Sequence, residues 1–306
     1  MIVFIISAAH AYAHRALVGR HTGTTVNLLT YEDLARLRQV PRATYVFTDL
    51  DRIPTETLRE AGEVCLRMRR HGLGVLNDPA RVLSRYGLLR ALYRRGFNRF
   101  NAYRAEEAAT PERWPVFLRT DGDHLGPLPE LYASPEALRQ GIERALARGL
   151  PMSRLLIVEY CAEPVLPRLY RKFSVFRVGK ACVAHTCVDD TQWIAKFGQR
   201  GISPPEFFEQ EFAIVRDNPY GAAVWDAFDV AGMEYGRADF GLVEGRPQVY
   251  EINSNPHVVL EDDNPNLARR RTSALFAANY GAALRTIDTP DSNTLVTIAA
   301  PALRKH

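Results

Sequence analysis

The chain has 306 residues, 46% hydrophobic and 24% charged, with a net charge of +4. This is an ordinary globular composition, too long for one small core, so two or three lobes are expected. No apolar run reaches the roughly 18–20 residues of a membrane-spanning helix, and no membrane partner is expected. The run MIVFIISAAHAYAH lacks a basic leader and reads as a buried first strand rather than a signal peptide. Cys65, Cys161, Cys182 and Cys187 are too sparse for a disulfide framework, which makes the cytoplasm the default location. Cys182, His185 and Cys187 do not have zinc spacing, since a strand would split them between two faces.

In chain order, MIVFIIS, TTVNLL, ATYVFTDLD and GLGVLND read as strands. A helix from about Tyr31 and the amphipathic TETLREAGEVCLRMRRHG separate them, an alternation that predicts a small parallel sheet. A helix is then expected from Pro79, with Asp78 as N-cap, through VLSRYGLLRALYRRG. NRFNAYR, WPVFLR and SRLLIVEYCA read as strands, and SPEALRQGIERALARG as a helix capped by Ser134. RKFSVFRV and KACVAHTCV form one expected hairpin. Helices are expected near 205–215 and 219–231. GRADFGLV and PQVYEIN form a second hairpin, turning near Glu244-Gly245, and a helix follows at about 265–283. The tail from Thr286 shows little pattern. The reading divides the chain into lobes at 1–78, 79–165 and 166–306.

Arg81, Arg85, Arg90, Arg94, Arg95, Arg99 and Arg104 make one segment locally basic. Without interleaved aromatics it is better read as a solvated helix face with one or two anion-binding arginines than as a nucleic-acid surface.

The second hairpin carries the chemistry. Glu251 and Asn253 share a strand face inside the apolar VYEINSNPH. Asp239 lies twelve residues before Glu251. An odd-length loop would place it on that same face, and a two-residue turn would place it on the other. Two carboxylates and an amide would then converge as hard oxygen donors of the kind Mg²⁺ accepts. The plainer reading is a polar hairpin face meeting water.

LNDPARVLSRYGLLRAL, PVFLRT with DGDHLGP, LLIVEYCAEP, YRKFSVFRVG and GRADFGLVEGRPQVYEINSNP stand in that order. Together they resemble the ATP-grasp superfamily of the carboxylate–amine ligase type, over most of the chain. The resemblance implies an α/β and α+β chain with a three-lobed architecture. A small parallel N-terminal lobe would precede two α+β lobes that sandwich ATP. It implies ATP and one or two Mg²⁺ ions (or Mn²⁺) held by Asp239, Glu251 and Asn253, with Arg237 steadying the phosphate and an acyl-phosphate intermediate. A hairpin salt bridge to Glu251 is the structural alternative for Arg237.

Arg85 and Arg119 stand where the family usually has phosphate-contacting lysines, a departure that keeps the charge. Glu159, Tyr160 and Cys161 would form the adenine hinge, with Glu163 on the ribose and Lys172 and Lys196 on phosphates. The last two are also readable as snorkelling surface lysines. For substrate, the candidates are His10, His14, Asp49 and Asp51 at strand ends, His124 in the 121–126 loop, and Asn255 and His257 beyond the donor set. The implied reaction is amide formation from small-molecule or peptide carboxylates and amines. Phosphate transfer to a small molecule, or nucleotide binding without turnover, are the alternatives. A homodimer is compatible with the resemblance, and no sequence feature decides it.

Overall fold

The computed structural model describes residues 1–19, 22–107, 110–122, 126–196, 198–260, 264–290 and 293–298. β1 (Ile2–Ile6) is buried throughout, as a central parallel strand must be. A 3-10 segment, Ala8–Leu17, follows it. Next come β2 (Val26–Thr30), α1 (Tyr31–Arg36), β3 (Gln39–Pro41), β4 (Thr44–Phe47), α2 (Thr55–Arg70) and β5 (Gly74–Leu76). The order β2-β1-β4-β5 is parallel throughout, so the alternation read from the sequence does build one parallel sheet.

The next helix begins later than its sequence suggested. Asp78 caps only a turn, its carboxylate accepting from Ala80 N at 3.0 Å. The chain stays irregular while Leu83 N donates to Ala231 O. α3 (Arg85–Arg94) starts at Ser84, whose hydroxyl accepts from Gly87 N. A serine closer to the apolar repeat thus displaces the Asp-Pro signal.

β6 (Ala102–Arg104), β7 (Val116–Thr120), α4 (Pro135–Ala147) and β8 (Leu155–Glu159) form an antiparallel sheet, order β6-β8-β7, with α4 packed on it. β9 (Tyr170–Val178), β10 (Ala181–Ala184), β11 (Val188–Asp190), α5 (Pro205–Asp217), α6 (Gly221–Ala231), β12 (Tyr235–Val243) and β13 (Arg246–Asn253) follow. Their sheet runs β10-β9-β12-β13, with β11 on β9. α7 (Leu267–Thr286) and β14 (Leu295–Thr297) complete the chain. β14 pairs with β3, so the tail that looked patternless closes back on the N-terminal lobe. No described helix is long and apolar enough to cross a membrane.

Two features join the first and third regions. One apolar cluster contains Ile2, Phe4 and Val46 together with Phe176, Tyr235, Phe276 and Tyr280. Asn77, fully buried at φ 60°, bridges the same seam. Its amide donates to Phe47 O (2.9 Å) and Tyr235 O (2.8 Å), while its carbonyl accepts from the Glu234 and Tyr235 N–H groups.

Candidate functional site

One face of the β9-β12-β13 sheet is polar where strands of this kind are usually packed. Lys172 and Ser174 stand on β9, Arg237 and Asp239 on β12, Glu251 and Asn253 on β13. The register sets Ser174 opposite Asp239 and Asp239 opposite Glu251. The reverse face explains why the strands hold their places. There Phe173, Val175, Ala238, Phe240, Val249 and Ile252 join Leu88, Leu92, Val224 and Phe228 in a single cluster. A slip by one residue would bury the charges and expose this core.

The hairpin reaches this register by a route the sequence did not suggest. Val243 pairs with Arg246, leaving a two-residue turn, Glu244-Gly245, with φ 49° and 74°. The count is even, and by simple alternation Asp239 would face away. Instead Phe240 pairs with Val249 and Asp239 with Glu251, so Tyr250 is an extra residue that restores the parity. The bulged ring turns toward the cleft and donates its hydroxyl to Cys161 O at 3.0 Å. Gly241 lets it lie there: a Cβ on Gly241 would sit 2.2 Å from the Tyr250 hydroxyl. Glycine inside a strand commonly marks a bulge or close approach, and this was the legible sign. Gly241→Ala is expected to push the ring away from the Cys161 carbonyl and destabilise the fold by about 1–3 kcal/mol, the scale of overpacking a filled site. Urea unfolding measures it, and an unchanged midpoint would mean that the ring moves aside freely.

The charges are tightly matched. Arg237 grips Asp239 through Nε (2.7 Å) and an Nη (3.0 Å), so its ion pair is with Asp239 rather than Glu251. Lys172 Nζ (3.4 Å) and Ser174 Oγ (3.0 Å) complete that environment. Burial alone would raise the Asp239 carboxyl, but Arg237 and then Lys172 outweigh it and hold the group below the usual carboxylate range. Glu251 Oε2 accepts from Arg85 (3.1 Å) and Arg119 (3.2 Å), and Oε1 from the Asn253 amide (3.4 Å). Arg85 also donates to Thr120 O. Both arginines thus meet Glu251 directly.

Among the described residues no three His, Cys, Asp or Glu side chains gather into a metal set. The donor set on this face is two carboxylates and one amide. The oxygens are of the hard kind a divalent ion accepts, and Lys172, Arg237, Arg85 and Arg119 already pair with the two carboxylates.

This face forms the polar end of a cavity of about 260 Å³, which also receives Arg119 and Lys196. The other end is apolar. Phe117, Val158, Tyr160 and Trp193 line it, with the Phe117 and Trp193 rings 4.7 Å apart. Trp193, Phe117 and Tyr170 escaped the sequence reading, because single aromatics from separate strands and loops carry no local pattern.

Tyr160, Cys161 and Glu163 lie along the cavity edge. Tyr160 N already donates to Pro115 O. Glu163 accepts from Glu244 N. Glu159 belongs to the edge, but its buried carboxylate accepts from Asn101 N, Tyr103 Oη, Glu112 N and Arg113 N, a bracing role.

The N-terminal candidates divide. His10 and Asp49 bond to each other at the ends of β1 and β4, and Asp51 accepts from Ser254. Asn255 is buried and donates to His10 O. His257 stacks edge-on near Tyr12. His14 is instead a core residue, wholly buried and bonded to Tyr235 Oη at 2.7 Å. His124 lies outside the described residues.

No family model matches the chain, and no curated protein matches it in sequence. Among solved structures, D-alanine–D-alanine ligase from Bacillus anthracis aligns over 94% of this chain and 97% of its own. Its identity is 9% and its TM-score 0.52. D-cycloserine synthetase aligns over 93% of this chain and 99% of its own, at 16% identity and a TM-score of 0.50. Such identities speak to fold alone. With its parallel N-terminal sheet, antiparallel central sheet and antiparallel C-terminal sheet, the chain has the ATP-grasp fold.

Proposed function

We propose that the protein is an ATP- and Mg²⁺-dependent ligase that activates a carboxylate as an acyl phosphate and couples it to an amine. One observation carries the reading. A single cavity joins an aromatic slot to a floor bearing Lys172, Arg237, Asp239, Glu251 and Asn253. The slot suits a purine, with the Tyr160 carbonyl and Cys161 N–H reading its edge. The floor suits a triphosphate. The two matched structures, a ligase and a synthetase by name, are compatible with it.

Asp239, Glu251 and Asn253 would hold Mg²⁺. When bound, the ion would neutralise charge on the phosphate oxygens. Lys172, Lys196 and Arg119 hold the phosphates, and Arg237 faces the phosphoryl group as it moves to the carboxylate. Because Asp239 fixes the Arg237 guanidinium in advance, no reorganisation is needed when charge develops. The chemistry is positioning and charge stabilisation, without a covalent enzyme intermediate.

The test is a screen for ATP hydrolysis stimulated by pairs of carboxylates and amines. Expected is stoichiometric release of ADP and inorganic phosphate with an amide product. Phosphate retained on the product would make the protein a kinase. Nucleotide binding with no turnover by any pair would leave a regulatory role.

A further inference from the structure

A polar cluster at the carboxyl ends of β1 and β4 is not explained by nucleotide binding. Asp49 is fully buried and sits at φ 63°, a backbone state that side chains other than glycine seldom adopt. Its Oδ2 accepts from Ser7 Oγ and lies 2.7 Å from His10 Nδ1, while Arg52 Nε stands 3.3 Å from Oδ1. Ser7 Oγ is also 2.9 Å from His10 Nδ1. In a neutral ring, the Asp49 oxygen and the Ser7 hydroxyl favour the tautomer with its hydrogen on Nδ1, which leaves the lone pair on Nε2. Among the described residues nothing bonds to Nε2. The side chain is 31% exposed.

Three elements meet at this place. The chain leaving β13 crosses it, since Asn255 donates to His10 O and Ser254 Oγ bonds both Leu50 N and Asp51. The loop after β7 reaches it too: a Cβ on Gly122 would lie 3.0 Å from Asp51 O. With Asn255 two residues beyond Asn253, chain geometry keeps the His10 and Asn253 backbones within roughly 17 Å. The cluster therefore lies near the donor set on the hairpin rather than in a separate region. The charged and titratable groups around the ring are Asp49, Asp51 and Arg52 after β4, Tyr12 on its own segment and His257 after β13.

Resting on the ligase reading, we propose that this cluster is the acceptor site for a primary amine, with His10 Nε2 as its proton acceptor and Asp49 the residue that sets the tautomer. An ammonium acceptor gives one proton to Nε2. Its freed lone pair attacks the acyl-phosphate carbonyl carbon and the C–N bond forms. The C–O bond to phosphate then breaks, the electron pair leaving on phosphate. The remaining surplus proton on nitrogen passes to that phosphate, and His10 returns its own proton to solvent.

His10→Asn tests this, because the asparagine amide still donates to Asp49 but offers no Nε2. The probes are ATP, Mg²⁺ and an equimolar mixture of glycine and the alanine and serine enantiomers, with and without hydroxylamine. Hydroxylamine is largely unprotonated at neutral pH and traps an acyl phosphate without a base. Amide formation is expected to fall about a hundredfold more than hydroxamate formation, the scale of a general base. Equal losses, or none, would overturn the assignment. Independently of any substrate, ¹⁵N spectra of histidine-labelled protein should show His10 as the Nδ1–H tautomer, with Asp49→Asn weakening that preference. A neutral ring protonated on Nε2 would overturn the proposal outright. No hydroxamate from the unaltered protein would count against the ligase reading, and the tautomer then decides the role of His10.

Discussion

Glu251→Gln is expected to lower ATP turnover by a hundred- to a thousandfold, on the order of losing one preorganised electrostatic contact. The carboxylate is a meeting point: Arg85 and Arg119 share one oxygen and Asn253 the other. Glutamine keeps the shape and some of these bonds but removes the charge that would face a divalent ion. Arg85 and Arg119 lose their shared counter-charge, so the unfolding midpoint is expected to fall too, while circular dichroism at room temperature keeps the folded signal. The corresponding Asp239→Asn change should do worse. It leaves Arg237 and Lys172 without their counter-charge on a buried floor, and truncating one partner of a buried pair is costly. ADP release in a coupled assay, compared across Mg²⁺ concentrations, measures the first effect. Turnover equal to that of the unaltered protein would end the assignment of Glu251 to a metal.

The second large effect concerns acid stability. His14 is enclosed by Phe4, Tyr235 and its neighbours, and burial lowers its pKa to about 3, with Asn255 partly offsetting and His257 adding slightly. In the unfolded chain the ring titrates near 6.5. Below that pH the unfolded state binds the extra proton and the folded state does not. Stability is therefore lost as pH falls from about 6.5 toward 3. Between neutrality and about pH 4.5 the loss from His14 is roughly 2–3 kcal/mol, at about 1.4 kcal/mol per pH unit. His185, between Phe176 and Phe276, is lowered to about 3 in the same sense, by burial and then by Arg237 and Arg269, and the residue is only half-buried. Glu211 acts oppositely. Burial raises it to about 7 against the pull of Arg269, so it favours the folded state as acid is added. Net acid sensitivity is therefore a poor test. The difference between unaltered protein and His14→Gln is a good one, since glutamine carries both a donor and an acceptor and can still bond the Tyr235 hydroxyl. Urea unfolding at pH 7 and 4.5 should show the variant losing about 2–3 kcal/mol less on acidification. Parallel curves would mean that His14 is not excluded from water.

Much of the fold was legible because most elements carry their own signal. Buried parallel strands, the Ser134 cap and the glycines that follow α2 and α4 at positive φ, Gly72 and Gly149, all act within a few residues. What was not legible depends on partners far away in the chain. β3 and β14 are three-residue strands that exist through each other. Asn77 was read as part of the short strand GLGVLND, yet three of its side-chain bonds to backbone reach residues 157 or 158 positions away. The donor set shows both halves of the matter. Alternation correctly paired Glu251 with Asn253. It could not count Tyr250, because a bulge is chosen by packing against Gly241 and Cys161 rather than by strand propensity. Arg85 and Arg119 were found as charges near the site, but that they converge on one carboxylate required the fold.

The apolar cluster running from Ile2 and Phe4 into Phe176 and Tyr280, pinned by Asn77, bears on how such proteins diversify. A lobe that shares its core with its neighbour is not an exchangeable module. A transplanted N-terminal segment would have to match Tyr235, Phe276 and Tyr280 in shape and still offer the Phe47 carbonyl to Asn77. If the strand ends at 7–10 and 49–52 do hold the acceptor, substitution in those short stretches, which stay outside the shared core, is the easier road to a new one.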